Sequence, residues 1–520
     1  MTTPQQYTTI EPWLGALPGW VPAEDQVRIA AYDKYEDIYW SSEEGYDEVM
    51  RGDNENPVFL PTARMLVNTV ARYTATNFGY TITTPLDETG VRVVDDEAVA
   101  VATMAFDALF TREQFISKFN SEKVKGIRKG DWLFHIIADD TKPLGRRIKI
   151  LTVDPSSFFP VYEDDVIEGG DPDKLIRVHI AEVVVINNQE QVSRLTYERL
   201  FDANGNQTAI QVSHGIFSMQ DWAKGNTTPK RWIINPKVLP PTIPAIPIYH
   251  FKNIDSTERF GSSELRGNES VLLGINQTIS DEDMSLALDG LGVYATDGGA
   301  PVDAAGNEVD FIMGPGRVIS NSIGLRRING VGSVTPYGDH YNRLVDAVKQ
   351  ATGVSDVAIG KVDSATAESG IALMIQLGPI LSYTGDKDKH IIEKSSQLFH
   401  DLCFWLTTYE QLDLLVPLEG GGLTPRVVVQ PTIGDKIPVN QKQVLDNIAL
   451  LRSMIPPMIS MQTSLEMLRA AGFPIPDDEQ ERLASEAAVQ LAADAAAFGS
   501  AEADASLDSR TNAELEGEVL

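Results

Sequence analysis

The chain has 520 residues, 42% of them hydrophobic, and 43 Lys and Arg against 74 Asp and Glu give it a formal net charge of −31. Such a length supports about two to four domains with full cores. The charge argues against a free-standing nucleic-acid binder, whose affinity comes from basic residues neutralising phosphate. The single cysteine, Cys403, excludes an intrachain disulfide framework and points to a reducing compartment.

The N-terminal "MTTPQQYTTIEPWLG" lacks the charged and apolar regions of a signal peptide. No apolar run approaches the roughly 20 residues of a membrane span, so a soluble cytoplasmic protein without membrane contact is expected. Residues 33–55 hold nine Asp and Glu, with Tyr32, Tyr35, Tyr39 and Trp40 near helical spacing, and predict an amphipathic helix followed by a loop. "PTARMLVNTVARYTATNFG" predicts a helix between Pro61 and Gly79. Two more helices are expected in "DDEAVAVATMAFDALF" and "REQFISKFNSEKVKGIRKG". Residues 111–150 are locally basic, ten Lys and Arg against five Asp and Glu, which fits a solvated face as well as a binding patch.

From Asp131 the period becomes that of strands. "WLFHIIAD", "RRIKILTV", "LIRVHIAEVVVI", "VSRLTYERLF" and "TAIQVSHGIF" are β-branched runs separated by turn residues, and "DANGNQ" at 202–207 is a hairpin turn. Asp202, Asn204 and Asn206 imitate the start of a calcium loop, but Gln207 replaces the glycine that its sharp turn requires. "PPTIPAIPIYHF" predicts an extended, proline-limited strand ending near residue 251.

In residues 262–290, Leu265, Leu272, Ile279 and Leu286 recur every seven residues, which predicts one long helix with a narrow apolar seam flanked by Glu264 and Glu269. A Gly-rich stretch suited to short strand pairs follows, then the helical "HYNRLVDAVKQATG" and a small, polar linker. Residues 368–406 keep a helical rhythm across Gly378-Pro379, where a kink is expected because proline has no N–H for the carbonyl of Ile375. "TPRVVVQPTI" returns to strand, and helices at 440–455, 464–476 and 477–498 precede a small, acidic tail.

No constellation for catalysis is found. "SDVAIGKV" has Ser355 and Val362 where a phosphate loop needs Gly and Ser or Thr. HExxH, paired CxxC and GxSxG are absent, and the seven histidines are scattered. The expectation is a non-enzyme with no cofactor, no metal and no catalytic residue, with Cys403 a buried apolar residue.

The order is a large α+β region, a helix out, a small β excursion, a helix back, a loop, a kinked helix, a strand and a helical end. In this order, "FGSSELRG", "GPGRVI", "ATAESGIALMIQLGPIL" and "IPVNQKQVLDNIALL…MISMQTSLEMLRAAGFP" make the chain resemble the portal proteins of tailed double-stranded-DNA bacteriophages, of the long-tailed type from actinobacterial hosts. The resemblance implies an α+β subunit of a dodecameric ring at one capsid vertex of the virion, assembled in the host cytoplasm. Double-stranded DNA would be packaged and later ejected through it without sequence-specific binding.

The implied domains are a wing at 1–261, stem helices at 262–290 and 339–353 and a clip at 291–338. A tunnel loop at 354–369, a kinked helix at 370–410, a wing return strand at 411–438, a crown at 439–498 and a tail at 499–520 complete the set. The implied partners are further copies of the chain, the terminase large subunit, the head–tail adaptor and the major capsid protein. Lys361, Asp363, Ser364 and Thr366 of the tunnel loop would face DNA, Gly378 and Pro379 would form the kink, and Arg317, Arg326 and Arg327 of the clip would meet partners. Leu265, Leu272, Ile279, Leu286, Glu264 and Glu269 would pack the stem or line the channel. A different virion component, such as an adaptor or scaffold-like protein, and a carboxylate-based hydrolase remain as alternatives.

Overall fold

The β-branched runs form antiparallel sheets, because period-2 alternation buries one face of each strand. In a computed structural model of the protein, residues 23–41, 57–86, 92–166, 168–202, 207–223, 228–254, 258–291, 293–295, 326–328, 335–361, 370–418, 421–436, 441–454, 458–470, 473–476, 478–486 and 489 are described. The fold is α+β. By contacts it divides into Met1–Gly434 and Asp435–Leu520.

In the first unit, β1 (Gly79–Thr83) pairs with β14 (Val428–Thr432). β2 (Asp131–Ala138) lies between β3 (Ile148–Val153) and β9 (Ile248–Lys252). β4 (Phe158–Tyr162), β5 (Leu175–Ile186), β6 (Gln189–Phe201), β7 (Gln207–Ser218) and β8 (Arg231–Val238) form a five-stranded meander in chain order. β6 and β7 pair antiparallel with Phe201 opposite Gln207, and residues 203–206 of the turn expected between them lie outside the described residues. The extended segment expected at 240–251 is a strand only from Ile248, because its four prolines remove ladder donors up to Pro247.

Helices Ala23–Trp40, Thr62–Tyr73, Asp96–Glu113 and Phe115–Lys129 precede or flank these sheets. The second ends well short of Gly79, which instead opens β1. Asp95 caps the third, accepting from the Ala98 N–H at 3.2 Å, and Arg426 clamps the same carboxylate from the approach to β14.

A helix follows at Glu269–Leu291, then β10 (Val293–Ala295), β11 (Arg326–Ile328) and a helix at Thr335–Thr352. β10 and β11 pair antiparallel at one end of the two helices. Toward the other end, Leu344 lies 3.6 Å from where a Cβ on Gly274 would stand. The first helix starts seven residues later than its heptad spacing predicts. Gly267 has φ +83°, a left-handed backbone that no α-helix contains, so Leu265 lies in the preceding turn and not on the helix.

A helix of 41 residues, Gly370–Glu410, runs through the first unit, followed by the hairpin β12 (Leu415–Pro417) and β13 (Leu423–Pro425). Its inward residues repeat every three or four positions, from Leu377, Ile380 and Thr384 to Leu398, Leu402, Trp405 and Tyr409. It joins two cores. One gathers Phe106, Phe110, Phe115, Phe119, Phe134, Phe251 and Phe399 between the sheets and helices. The other packs Ile38, Leu66, Val70, Leu272, Ile275, Val348, Leu377 and Ile380 among helices. Cys403 is buried in the first core, and burial pushes its thiol up to about 12.

In the second unit, helices Gln441–Ser453 and Met461–Ala470 turn back on each other, with Ile448 and Leu465 buried. Residues 479–486 are helical. No described helix is long and apolar enough to cross a membrane.

Candidate functional site

The motif FGSSELRG, residues 260–267, threads between the end of the Phe115–Lys129 helix and β9. The N–H of Gly261 donates to Asp131 Oδ1 at 2.7 Å, and a Cβ there would stand 2.2 Å from the Gly130 carbonyl oxygen. Only glycine allows that approach. The Glu264 N–H donates to the Ile127 carbonyl at 3.0 Å, and the Ser263 hydroxyl donates to the Arg128 carbonyl. Asp131 is fully buried; it also receives the Tyr32 hydroxyl at 2.5 Å and lies 2.6 Å from His250 Nε2. Burial and the Asp131 charge push the Tyr32 hydroxyl well above its ordinary value.

One step along the chain sits a buried ion pair. Lys387 Nζ lies 2.7 Å from Glu264 Oε2 and donates to Asn253 Oδ1 at 2.8 Å, while the Tyr383 hydroxyl donates to Glu264 Oε1 at 2.6 Å. Burial pulls the Lys387 ammonium below its ordinary value, and the Glu264 carboxylate opposes that shift. The pair ties the approach to the Glu269–Leu291 helix to the middle of the long helix. Glu264, expected to pack the stem or line the channel, is buried and points into the protein. Glu269 is half-buried and engages the Tyr35 hydroxyl.

The expected seam divides along its length. Leu265 and Leu272 are buried in the helical core, Ile279 is half-buried, and Leu286 is exposed along with Met284. The segment entering the Glu269–Leu291 helix pair from the N-terminal side is fixed to it, with the N–H groups of Val58 and Leu60 donating to Ser280 Oγ and Asn276 Oδ1, both at 2.9 Å.

Pro379 lies within the long helix, and the atoms of Pro379 lie 3.5 Å from the Cβ position of Gly353, the turn that ends the Thr335–Thr352 helix. A Cβ on Gly378 would meet nothing within 4 Å, so close packing does not demand glycine there. Residues 354–361, expected as the mobile start of a loop, form consecutive turns with Val354 and Ala358 buried. Their apolar side chains join the helical core, and Asp356 pairs with Lys349 at 2.7 Å. Lys361 is exposed at the end of these turns. Asp363, Ser364, Thr366 and Arg317 lie outside the described residues. Arg326 and Arg327 lie in β11 opposite Ala295 and Tyr294, and their side chains lie outside the described part.

Sequence spacing did not single out Lys387, Asp388 or Asn253. The signal was present: Lys387 and Asp388 interrupt the apolar face of the long helix at its helical spacing from Ile380 and Thr384. Asp388 accepts the Ala75 N–H at 2.8 Å. No family model and no curated protein matches this chain.

Proposed function

We propose that this chain is a portal subunit, which assembles with copies of itself into a ring that conducts double-stranded DNA during genome packaging and ejection. The observation that carries the proposal is the helix pair Glu269–Leu291 and Thr335–Thr352. Its strands β10 and β11 pair at one end, and its other end is anchored to the long helix by Lys387–Glu264 and by Gly353 against Pro379. On this proposal the pair is the stem, residues 291–338 the clip that meets the terminase and later the adaptor, and residues 1–261 with β14 the wing.

Two properties support it. Met284, Leu286, Met374 and Ile375 are exposed apolar side chains on or beside the helix pair, surface that neighbouring copies in a ring would cover. The net charge of −31 would keep DNA from sticking to a conduit, because each phosphate contact adds salt-dependent affinity. On this proposal Lys361, exposed at the end of the 354–361 turns, would touch the phosphate backbone of passing DNA.

Negative-stain imaging and mass photometry of the purified full chain test the proposal. Closed rings with a central hole are expected. A monomer at every concentration and salt condition tested overturns it.

A further inference from the structure

Away from the helix pair, the start of β5, β9 and the 394–397 turn of the long helix enclose a cavity of about 210 Å3. Four cations line it, Lys174, Arg199, Lys252 and Lys394, against the carboxylates of Asp171 and Asp173. In a chain of net charge −31 this is a local reversal of sign.

The pairing leaves part of that charge uncompensated. Lys394 lies 3.5 Å from Asp173, and Lys174 lies 2.6 Å from Glu163. Asp171 Oδ1 accepts the Asp173 N–H at 2.9 Å. Arg199, only 8% exposed, has no carboxylate in contact among the described residues. Its Nε donates to the Leu175 carbonyl at 2.6 Å and its Nη1 to Gln207 and the Pro244 carbonyl. Lys252 Nζ donates to the Glu258 carbonyl at 3.0 Å and to no carboxylate.

Burial disfavours the Arg199 guanidinium, Glu163 and Asp401 oppose that only through space, and an anion in the cavity would complete its shell. Arginine's planar fork matches the oxygens of a phosphate, and lysines supply point charges around it. The volume exceeds the roughly 30 Å3 of one water several-fold, enough for an oxyanion with a short organic group. Tyr162, whose hydroxyl lies 3.3 Å from His250 Nδ1, and Gln397 add neutral polar groups to the wall.

We propose that this cavity binds a small phosphate-class oxyanion, either inorganic phosphate or the phosphate group of a small ester, through Arg199, Lys252 and Lys394. This site does not rest on the portal reading.

Isothermal titration calorimetry of the full chain tests this, with inorganic phosphate and with glycerol phosphate, at an ionic strength fixed by chloride. Saturable binding is expected, weakened at least about tenfold in Lys252→Gln and in Lys394→Gln. Both substitutions change half-buried side chains, and their unfolding midpoints confirm the fold. Lys389→Gln, far more exposed and not part of the wall, should bind like the wild type. Tighter binding of the ester names it as the source, and equal or weaker binding names the inorganic ion. No saturable binding of either compound, or unchanged affinity in both wall variants, overturns the proposal.

Discussion

From Ile391 to Tyr409 the long helix is wrapped by its own chain. Phe399 is fully buried, with its ring 5.5 Å from that of Phe110 and 6.1 Å from that of Phe115. From Met374 to Asp388 the same helix meets other helices, carries a buried ion pair, and leaves Met374 and Ile375 in solvent. The first half is complete as a folded core. In the second, buried Lys387 pairs with Glu264, 123 residues away, and apolar surface stays uncovered. The difference separates residues that complete the chain's own core from residues that leave apolar surface in solvent.

The largest effect should come from the ring-packed half. Phe399→Ala removes a buried ring surrounded by five others and should cost about 4 kcal/mol in urea unfolding. A cost below about 1 kcal/mol would mean that the aromatic core is not the anchor described.

Next comes the ion pair. Lys387→Met leaves the Glu264 carboxylate buried without its cation and should cost about 3 kcal/mol, with Lys387→Met/Glu264→Leu recovering much of the loss. Equal stability of the single and double variants would show that the two charges are not coupled.

His135 sharpens the comparison by pH. It is buried behind the ring-packed half, 2.9 Å from the Tyr197 hydroxyl, and burial alone pulls it down to about 4 from 6.5. The folded chain therefore keeps it neutral while the unfolded chain takes up a proton. Stability should be full above pH 6.5 and fall as pH drops toward 4, by up to about 3 kcal/mol. His135→Gln, which does not titrate, should lose less between pH 7 and 4.5 in the same unfolding assay.

The smallest effect on stability should be at Ile375, 71% exposed, where Ile375→Ser should change unfolding by no more than about 0.5 kcal/mol. If neighbouring copies cover this surface, the same variant should lower the yield of rings seen by mass photometry. Unchanged ring yield would remove Ile375 from that contact.

Much of the fold was legible because β-branched runs and turn residues carry their own signal. The five runs from Trp132 to Phe217 lie in strands, and the two on either side of residues 202–207 pair antiparallel. β4 and β8 were not legible. Each contains a proline, Pro160 or Pro236, which demotes a strand in a sequence reading but is tolerated at the edges of a sheet, where both lie. The heptad at Leu265 misled because spacing carries no information about φ, and Gly267 ends the helix there. At the candidate site, Pro379 could be read from the chain, but its contact with Gly353 could not. Nor could the partners of Lys387, since Asn253 and Glu264 lie more than a hundred residues away and come together only when the sheets and helices close.

The long helix has one more consequence. Because Leu377 and Ile380 belong to one core and Phe399 and Leu402 to the other, loosening either end strips contacts from both. Residues 1–434 should then melt in a single calorimetric transition, with van't Hoff and measured enthalpies agreeing. A continuous backbone rod of this kind makes the two cores share one fate under heat, however differently their interiors are built.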